Sequence, residues 1–402
     1  MAAIQTAKTV CLITPGHIAS NPRLVKEAIA LTAAGYKVHI IFTQYVPYLI
    51  DHDQHILSQN PGCTYDALNW TGYNLPSKIS RLLSKLVHTF SGNINIKINR
   101  NYIWQLKKAI NHKADLYIAH NLGVLPIALI AAKKNKVKCG FDAEDFHRNE
   151  ISDDITDPGV ILKTAIEEKY IPQLDYITAS SPQITEQYTA LFNRDITTVI
   201  NVFPKTDAYE IINNTHHPLQ LFWFSQTIGP NRGLETIIER INISGIESDL
   251  HLLGFSTDEY KNHLISLLKP ASKCNLHFHS PVYAEELFNT AKQYDIGFAA
   301  ETDLSLNRTI ALSNKIFTYI QSGLAVIASN TIAQAAFINQ YPQVGRIYNN
   351  AEELADILSR YNSDRSMLYQ TKQAAFKLGQ TDLNWEKESA KFISVVKQTL
   401  NN

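Results

Sequence analysis

Two short segments carry the residue types and spacing that bind phosphate groups. In SQTIGPNRGLETIIE, residues 225–239, an apolar strand pattern runs into a turn holding Gly229, Pro230 and Gly233, and a helical pattern starts beside Arg232. The first backbone N–H groups of a helix have no partner within it and carry partial positive charge, so such a terminus suits a diphosphate. The Arg232 guanidinium adds a fork of donors that matches phosphate oxygens, although a solvated loop arginine is the simpler alternative. Ser313-Asn314-Lys315 repeats the arrangement, with Ser313 placed as an N-cap and Lys315 in the first turn of a helix whose buried side carries Ile316, Phe317 and Ile320. Lys315 either joins Arg232 on one diphosphate or is a surface lysine. Between them, ETDLSLNR from Glu301 to Arg308 is a polar loop that follows a strand. Near the start of the chain, Gly16 in TPGHIASNPR either lets the backbone approach a ligand or makes a tight turn.

The elements that must position these residues alternate along the chain. Lys8 to Thr14 is the first predicted strand, Asn21 to Ala34 a helix closed by Gly35, and Tyr36 to Phe42 the next strand. Strands at Asp115–Ala119, Lys138–Phe141, Tyr176–Thr178 and Thr197–Ile200 follow, with helices at about 99–112, 123–134, 159–171 and 182–193. The rhythm breaks at a polar stretch from Pro204 to Pro218 and then restarts. Strands are predicted at Leu219–Ser225, Leu250–Gly254, Asn275–His279, Asp295–Ala299 and Ala325–Ser329, with helices near 231–241, 257–268, 284–292 and 314–322. Helical periods then fill Ala351–Arg360, Arg365–Leu378 and Trp385–Leu400. Alternation of this kind builds parallel sheets, which bind ligands at the carboxyl ends of their strands. The expected organisation is an α/β chain with one Rossmann-like domain over 1–203, a linker over 204–217, a second over 218–375, and a terminal helix within 376–402 that crosses back to the first. The expected site is the cleft between two facing sheets.

Composition narrows the function classes. Of 402 residues, 45% are hydrophobic and 18% charged, which fits a globular chain with large cores. Lys plus Arg and Asp plus Glu each number 37, and this balance argues against nucleic acid as a partner. The four cysteines, Cys11, Cys63, Cys139 and Cys274, are scattered, so neither a disulfide framework nor a structural zinc site is expected. The strongest apolar run, Gly123–Ala132, is too short for a span of about 20 residues and contains Pro126, and the opening MAAIQTAKTVCLITP reads as a buried strand. A cytoplasmic location is expected. A nicotinamide dehydrogenase would share the strand–helix rhythm, but the loop after the first strand lacks GxGxxG.

Several segments together resemble glycosyltransferases of the GT-B fold, in particular the retaining, nucleotide-sugar-dependent family 4. They are TPGHIASNPRLVKEAIALTAAGYKVHII, DLYIAHNLGVLPIALIAAKK, GFDAEDFHRNE, FWFSQTIGPNRGLETIIE and SNKIFTYIQSGLAVIASN, in matching order over nearly the whole chain. The resemblance implies two Rossmann-like domains, a UDP- or GDP-sugar donor held by the second and an acceptor held by the first. The acceptor would be a glycan or a lipid-linked glycan in surface polysaccharide or glycoconjugate synthesis, and the chemistry would need no bound metal or other cofactor. Arg232 matches the residue that contacts the donor pyrophosphate, and His120 matches a histidine that contacts the donor sugar. In Asp142-Ala143-Glu144-Asp145, Glu144 replaces a histidine found in relatives and Asp145 keeps an acidic position, so both are candidates for binding acceptor hydroxyls or for capping.

The chain departs from the family where two glutamates eight positions apart are expected. Counting back from Gly323, those positions are Ile310 and Thr318. Thr318 offers the donor ribose a neutral contact at most, and Glu301 is the candidate substitute on the sugar. The departure leaves two other readings open, a weak or inactive homologue acting as a donor-binding partner subunit, and a sugar-nucleotide epimerase. Finally, SKISRLLSKLVHTF, residues 77–90, forms a basic amphipathic helix with Ile79, Leu82, Leu83, Leu86 and Phe90 on one side. Packing of that side on the domain's own core is the expectation from the residues; the resemblance implies the alternative, peripheral contact with the inner face of a membrane.

Overall fold

The computed structural model describes residues 7–72, 75–207, 209–214 and 218–401. Ala208 and Thr215–His217, inside the expected linker, lie outside the described residues. The chain divides into two compact units, one running up to Ile200 and resuming at Ser389, the other from Asn201 to Glu388.

The first unit is built on seven strands: β1 Thr9–Ile13, β2 Lys37–Gln44, β3 Cys63–Asn69, β4 Leu116–His120, β5 Lys138–Ala143, β6 Tyr176–Ala179 and β7 Thr197–Thr198. Every pairing is parallel, in the order β3-β2-β1-β4-β5-β6-β7. β4 is buried along its whole length and β1 along all but its first residue, as strands covered by helices on both faces must be. The helix Leu125–Asn135 beside them is apolar nearly all round and correspondingly buried. The order of strands reverses between β1 and β4, and that switch point is where a doubly wound sheet opens a crevice for ligand.

The second unit repeats the plan with six parallel strands: β8 Leu219–Thr227, β9 Ser248–Phe255, β10 Cys274–His279, β11 Ile296–Ala299, β12 Ala325–Ser329 and β13 Gly345–Tyr348, ordered β10-β9-β8-β11-β12-β13. Its switch point lies between β8 and β11. Trp223, Leu234, Ile237, Leu252 and Phe298 belong to one buried cluster around this sheet, each contributing about 1.5–3 kcal/mol of hydrophobic stabilisation. In β11, Gly297 lets the Tyr319 ring lie on the strand, where a Cβ would come within 2.3 Å of it. Lys372, from the helix Arg365–Thr381, reaches under the sheet to Asp295 Oδ1 at 2.9 Å and to the carbonyls of Ile212 and Tyr294 at 3.0 and 3.1 Å, so this buried cation is fully used. The last helix, Trp385–Asn401, begins in the second unit and ends in the first, where Lys8 Nζ donates to the Leu400 carbonyl.

Several local expectations change. The helix expected over 99–112 is two helices, Ile94–Ile98 and Tyr102–Asn111, because Asn99 takes extended backbone between them. The strand expected over Thr197–Ile200 pairs only through Thr197 and Thr198. The largest change concerns the amphipathic segment. It forms the helix Leu75–Phe90, but its apolar side does not pack on the unit's core. Arg81 Nη1 donates to the carbonyls of Trp70 and Gly72, Ser84 Oγ to the Arg100 carbonyl, and His88 Nε2 lies 3.1 Å from the Lys97 carbonyl. The polar side therefore faces the protein, and Leu82, Leu83 and Phe90 are 57%, 56% and 80% exposed. Expected core packing is overturned by these hydrogen bonds, which fix the helix with its leucines outward.

Candidate functional site

In the second unit the loops after β8 and β11 flank the switch point, and they carry the residues singled out for phosphate. The helix Leu234–Ser244 starts directly after Gly233, whose φ of +76° is left-handed, and no side chain caps it. A Cβ at Gly233 would also come within 3.1 Å of the Ala300 Cβ, so a side chain here is disfavoured twice over. Arg232 is half-buried beside this terminus. Arg308, whose role the sequence leaves open, ties the two loops together: its Nη1 donates to Thr302 Oγ1 at 3.1 Å and to the Asn231 carbonyl at 3.4 Å.

The second phosphate candidate and the sugar candidate are found together. Ser313 caps the helix Asn314–Gln321 by accepting from the Lys315 N–H, and its hydroxyl donates to Glu301 Oε1 at 2.9 Å. Lys315 Nζ donates to the same oxygen at 2.7 Å and lies 5.6 Å over the Trp223 ring. Burial would raise the Glu301 carboxyl pKa, but the Lys315 charge and the hydrogen bonds from Lys315 and Ser313, with Arg232 nearby, hold it below the usual carboxylate range. Glu301 is thus an anion that Lys315 neutralises. Its backbone is fixed as well, by exchange of hydrogen bonds with Ser329 Oγ at 2.9 Å. Asn314 accepts from Asn201 Nδ2 at 3.0 Å. Thr318 has no exposed surface, and its hydroxyl donates to the Asn314 carbonyl at 3.2 Å; Ile310 is likewise buried. The structure therefore brings Arg232, Glu301, Ser313 and Lys315 together and leaves Thr318 inside the helix packing.

In the first unit, Gly16 follows β1 in a loop anchored by His17. The His17 Nε2 accepts from the N–H groups of Tyr45 and Val46 at 2.8 and 2.9 Å, which puts its proton on Nδ1, toward Asp53 Oδ2 at 2.6 Å. A Cβ on Gly16 would meet the Tyr45 ring at 3.3 Å. His120 ends β4 and is fully buried, with Nε2 3.2 Å from Glu27 Oε2 and Nδ1 3.3 Å from Glu144 Oε1 and 3.5 Å from Asp142 Oδ2. Glu144 also accepts from Asn21 Nδ2 at 2.6 Å. Asp145, half-buried, follows, its carbonyl accepting from Tyr188 Oη at 3.4 Å. Arg23 donates to both oxygens of Asp142, at 2.5 and 2.8 Å, and to the Val199 carbonyl at 2.6 Å. Arg23, Glu27 and Asp142 are site residues that the sequence reading missed. Their signal was present: Arg23 and Glu27 stand four apart on the side of a helix that also carries Leu24, Ala28 and Leu31, and charges on a core-facing side must be paired.

Among the described residues two groups have the composition of a metal site, Glu27 with His120 and Asp142, and Asp249 with His251 and His277. In the first, Arg23 occupies both oxygens of Asp142, and a second cation would be repelled. In the second, the His251 and His277 rings stack at 4.5 Å with planes 14° apart, so their lone pairs do not meet at one point. Neither arrangement is a ligand set as it stands.

Two doubly wound, all-parallel sheets in succession, followed by closing helices, define the fold class of the GT-B glycosyltransferases. No protein-family model matches the sequence and no curated protein matches it, so the likeness is one of structure. Similar solved structures include Anabaena HepE in complex with UDP and glucose, at a TM-score of 0.67 and 12% identity over 97% of this chain and 100% of that one. The pneumococcal O-GlcNAc transferase GtfA in complex with UDP and GlcNAc gives 0.69 and 12% over 99% and 100%. Sucrose-phosphate synthase from Thermosynechococcus elongatus gives 0.65 and 15% over 97% and 98%.

Proposed function

We propose that the chain is a glycosyltransferase that moves a hexose, with retention, from a nucleoside-diphosphate sugar to a glycan or lipid-linked acceptor in glycoconjugate synthesis. The observation that carries this reading is the convergence of Arg232, Lys315 and an uncapped helix terminus at the switch point of the second unit. These groups would neutralise a diphosphate and stabilise the departing nucleotide. That HepE and GtfA were solved with UDP and a sugar supports UDP as the first nucleotide to try. Donor binding falls to the second unit, and acceptor binding to the first through Glu144 and Asp145. Calorimetric titration with UDP, GDP and ADP tests the reading, followed by assay for slow hydrolysis of the matching sugar nucleotide. Failure to bind any of the three would sink it. Because Ile310 and Thr318 stand where the family has glutamates, binding without hydrolysis or transfer would instead support a donor-binding partner subunit.

A lipid-linked acceptor gains support from the helix Leu75–Phe90. Its outward side presents Ile79, Leu82, Leu83, Leu86 and Phe90, flanked by the exposed cations Lys78 and Lys85, which fits an anionic lipid surface. Among the described residues no helix is long and apolar enough to cross a membrane, so contact would be peripheral, at the inner face. Cosedimentation with phosphatidylglycerol-containing vesicles is expected, falling by about 10-fold when Leu83→Glu and Leu86→Glu are combined. Equal sedimentation of parent and variant would reject lipid contact through this helix.

A further inference from the structure

We infer that Glu27 is a positioning residue for the first unit's site, holding His120, which in turn holds the Glu144 carboxylate toward substrate. The inference rests on the transferase reading only in calling Glu144 substrate-facing. Five charged side chains are packed here. Arg23, Glu27, His120 and Asp142 are 0–1% exposed, whereas the Glu144 side chain is 24% exposed, so Glu144 is where the cluster reaches solvent.

Both ring nitrogens of His120 face carboxylates. A neutral imidazole has one N–H and one lone pair, and would turn that lone pair toward Glu27 or toward Glu144. The doubly protonated ring puts a proton on each side, hydrogen-bonded to Glu144 through Nδ1 and in ion-pair contact with Glu27 at 3.2 Å from Nε2. Arg23 cannot take over from it, because its donors are directed to Asp142 and Val199 and it comes no closer to Glu27 than 3.6 Å. Burial pushes the His120 pKa down, but the Glu27 charge, the hydrogen bond the ring donates to Glu144, the close approach of Glu27 and the Asp142 charge outweigh it and raise the value to about 10. The other groups packed around the ring are Lys26 on the Glu27 helix and Tyr176 and Thr178 on β6, with Thr178 Oγ1 donating to Asp142 Oδ1 at 2.7 Å. Asn21 and His120 both engage Glu144 Oε1, leaving Oε2 outside these contacts. His120 therefore acts through Glu144 and does not itself touch the sugar.

The test is two-bond ¹H–¹⁵N correlation on protein labelled at histidine, with His120→Gln identifying the signals. In the parent, His120 is expected to be doubly protonated from pH 5.5 to 8.5. In Glu27→Gln its midpoint should move down by ~1–3 pH units, into or near that window. Hydrolysis of a bound sugar nucleotide should then become pH-dependent in Glu27→Gln, lost as pH rises through the new midpoint, while Glu27→Asp restores the parent profile. Should Glu27→Gln fail to fold, Glu144→Gln, altered at the exposed end, is expected to move the midpoint in the same direction. A neutral His120 at pH 7 in the parent, or the parent titration retained in Glu27→Gln and Glu144→Gln, overturns the inference. A charged His120 in a protein that hydrolyses no donor leaves it standing and removes the transferase reading.

Discussion

Arg232→Ala and Lys315→Ala are each expected to weaken nucleoside-diphosphate binding by about 10–200-fold, the cost of one charged hydrogen bond at roughly 1.5–3 kcal/mol. The structure adds a distinction between them. Arg232 stands half-buried at the helix terminus and acts on Glu301 by charge alone and less than Lys315 does, so its removal mainly takes away attraction. Lys315 also neutralises Glu301 at 2.7 Å, and its removal leaves a carboxylate close to the phosphates. Lys315→Ala should therefore lose more than Arg232→Ala, and adding Glu301→Gln to Lys315→Ala should recover part of the loss. Glu301→Gln alone releases Lys315 and should leave affinity within a few-fold of the parent or improve it. Isothermal titration on the four variants measures all of these, and equal binding by Arg232→Ala, Lys315→Ala and the parent would place the diphosphate elsewhere.

Arg23→Ala is expected to destabilise the first unit by about 3–5 kcal/mol, because it strands the Asp142 carboxylate in the interior next to Glu27. At about 2–4 °C per kcal/mol for a unit of this size, its melting temperature should fall by roughly 6–20 °C. Replacing both partners by apolar residues should cost much less, since desolvation of the pair offsets much of its attraction. Differential scanning calorimetry distinguishes the outcomes. A shift under about 1 °C for Arg23→Ala would mean that the pair is not buried in solution as it is here.

The two sheets were legible because their central strands are apolar runs between turn residues: Ala325–Ser329 is read from the sequence to the residue, and Leu219 opens β8 as expected. The strands that escaped are edge or short ones. β3, Cys63–Asn69, is mostly exposed or half-exposed and carries Asp66 and Asn69, so no alternation marks it. The helix Ile332–Gln340, nearly apolar all round, has no period to detect. For the site, local spacing pointed to Arg232 and Lys315 because each depends on a helix start within a few residues. The Lys315–Glu301 and Arg23–Asp142 pairs span 14 and 119 positions, and such meetings are made by topology rather than by spacing. His120 shows the limit most plainly: its position at a strand end could be read, but its three carboxylate neighbours come from a helix nearly a hundred residues earlier, from the next strand and from the residue after it.

The outward-turned helix has a consequence for how the first unit opens. Leu75–Phe90 is held by a few hydrogen bonds from Arg81, Ser84 and His88 and from Arg100 and Lys97, and its leucines add nothing to the unit's interior. Contacts of this kind, exposed to competing water, give low local stability. Local opening of this segment is expected to cost less than opening of β1, β4 or β5, and hydrogen exchange of its amides faster than theirs would show it. A surface that takes up its apolar side would supply the stabilisation the core withholds, so that docking and ordering of this segment become one event.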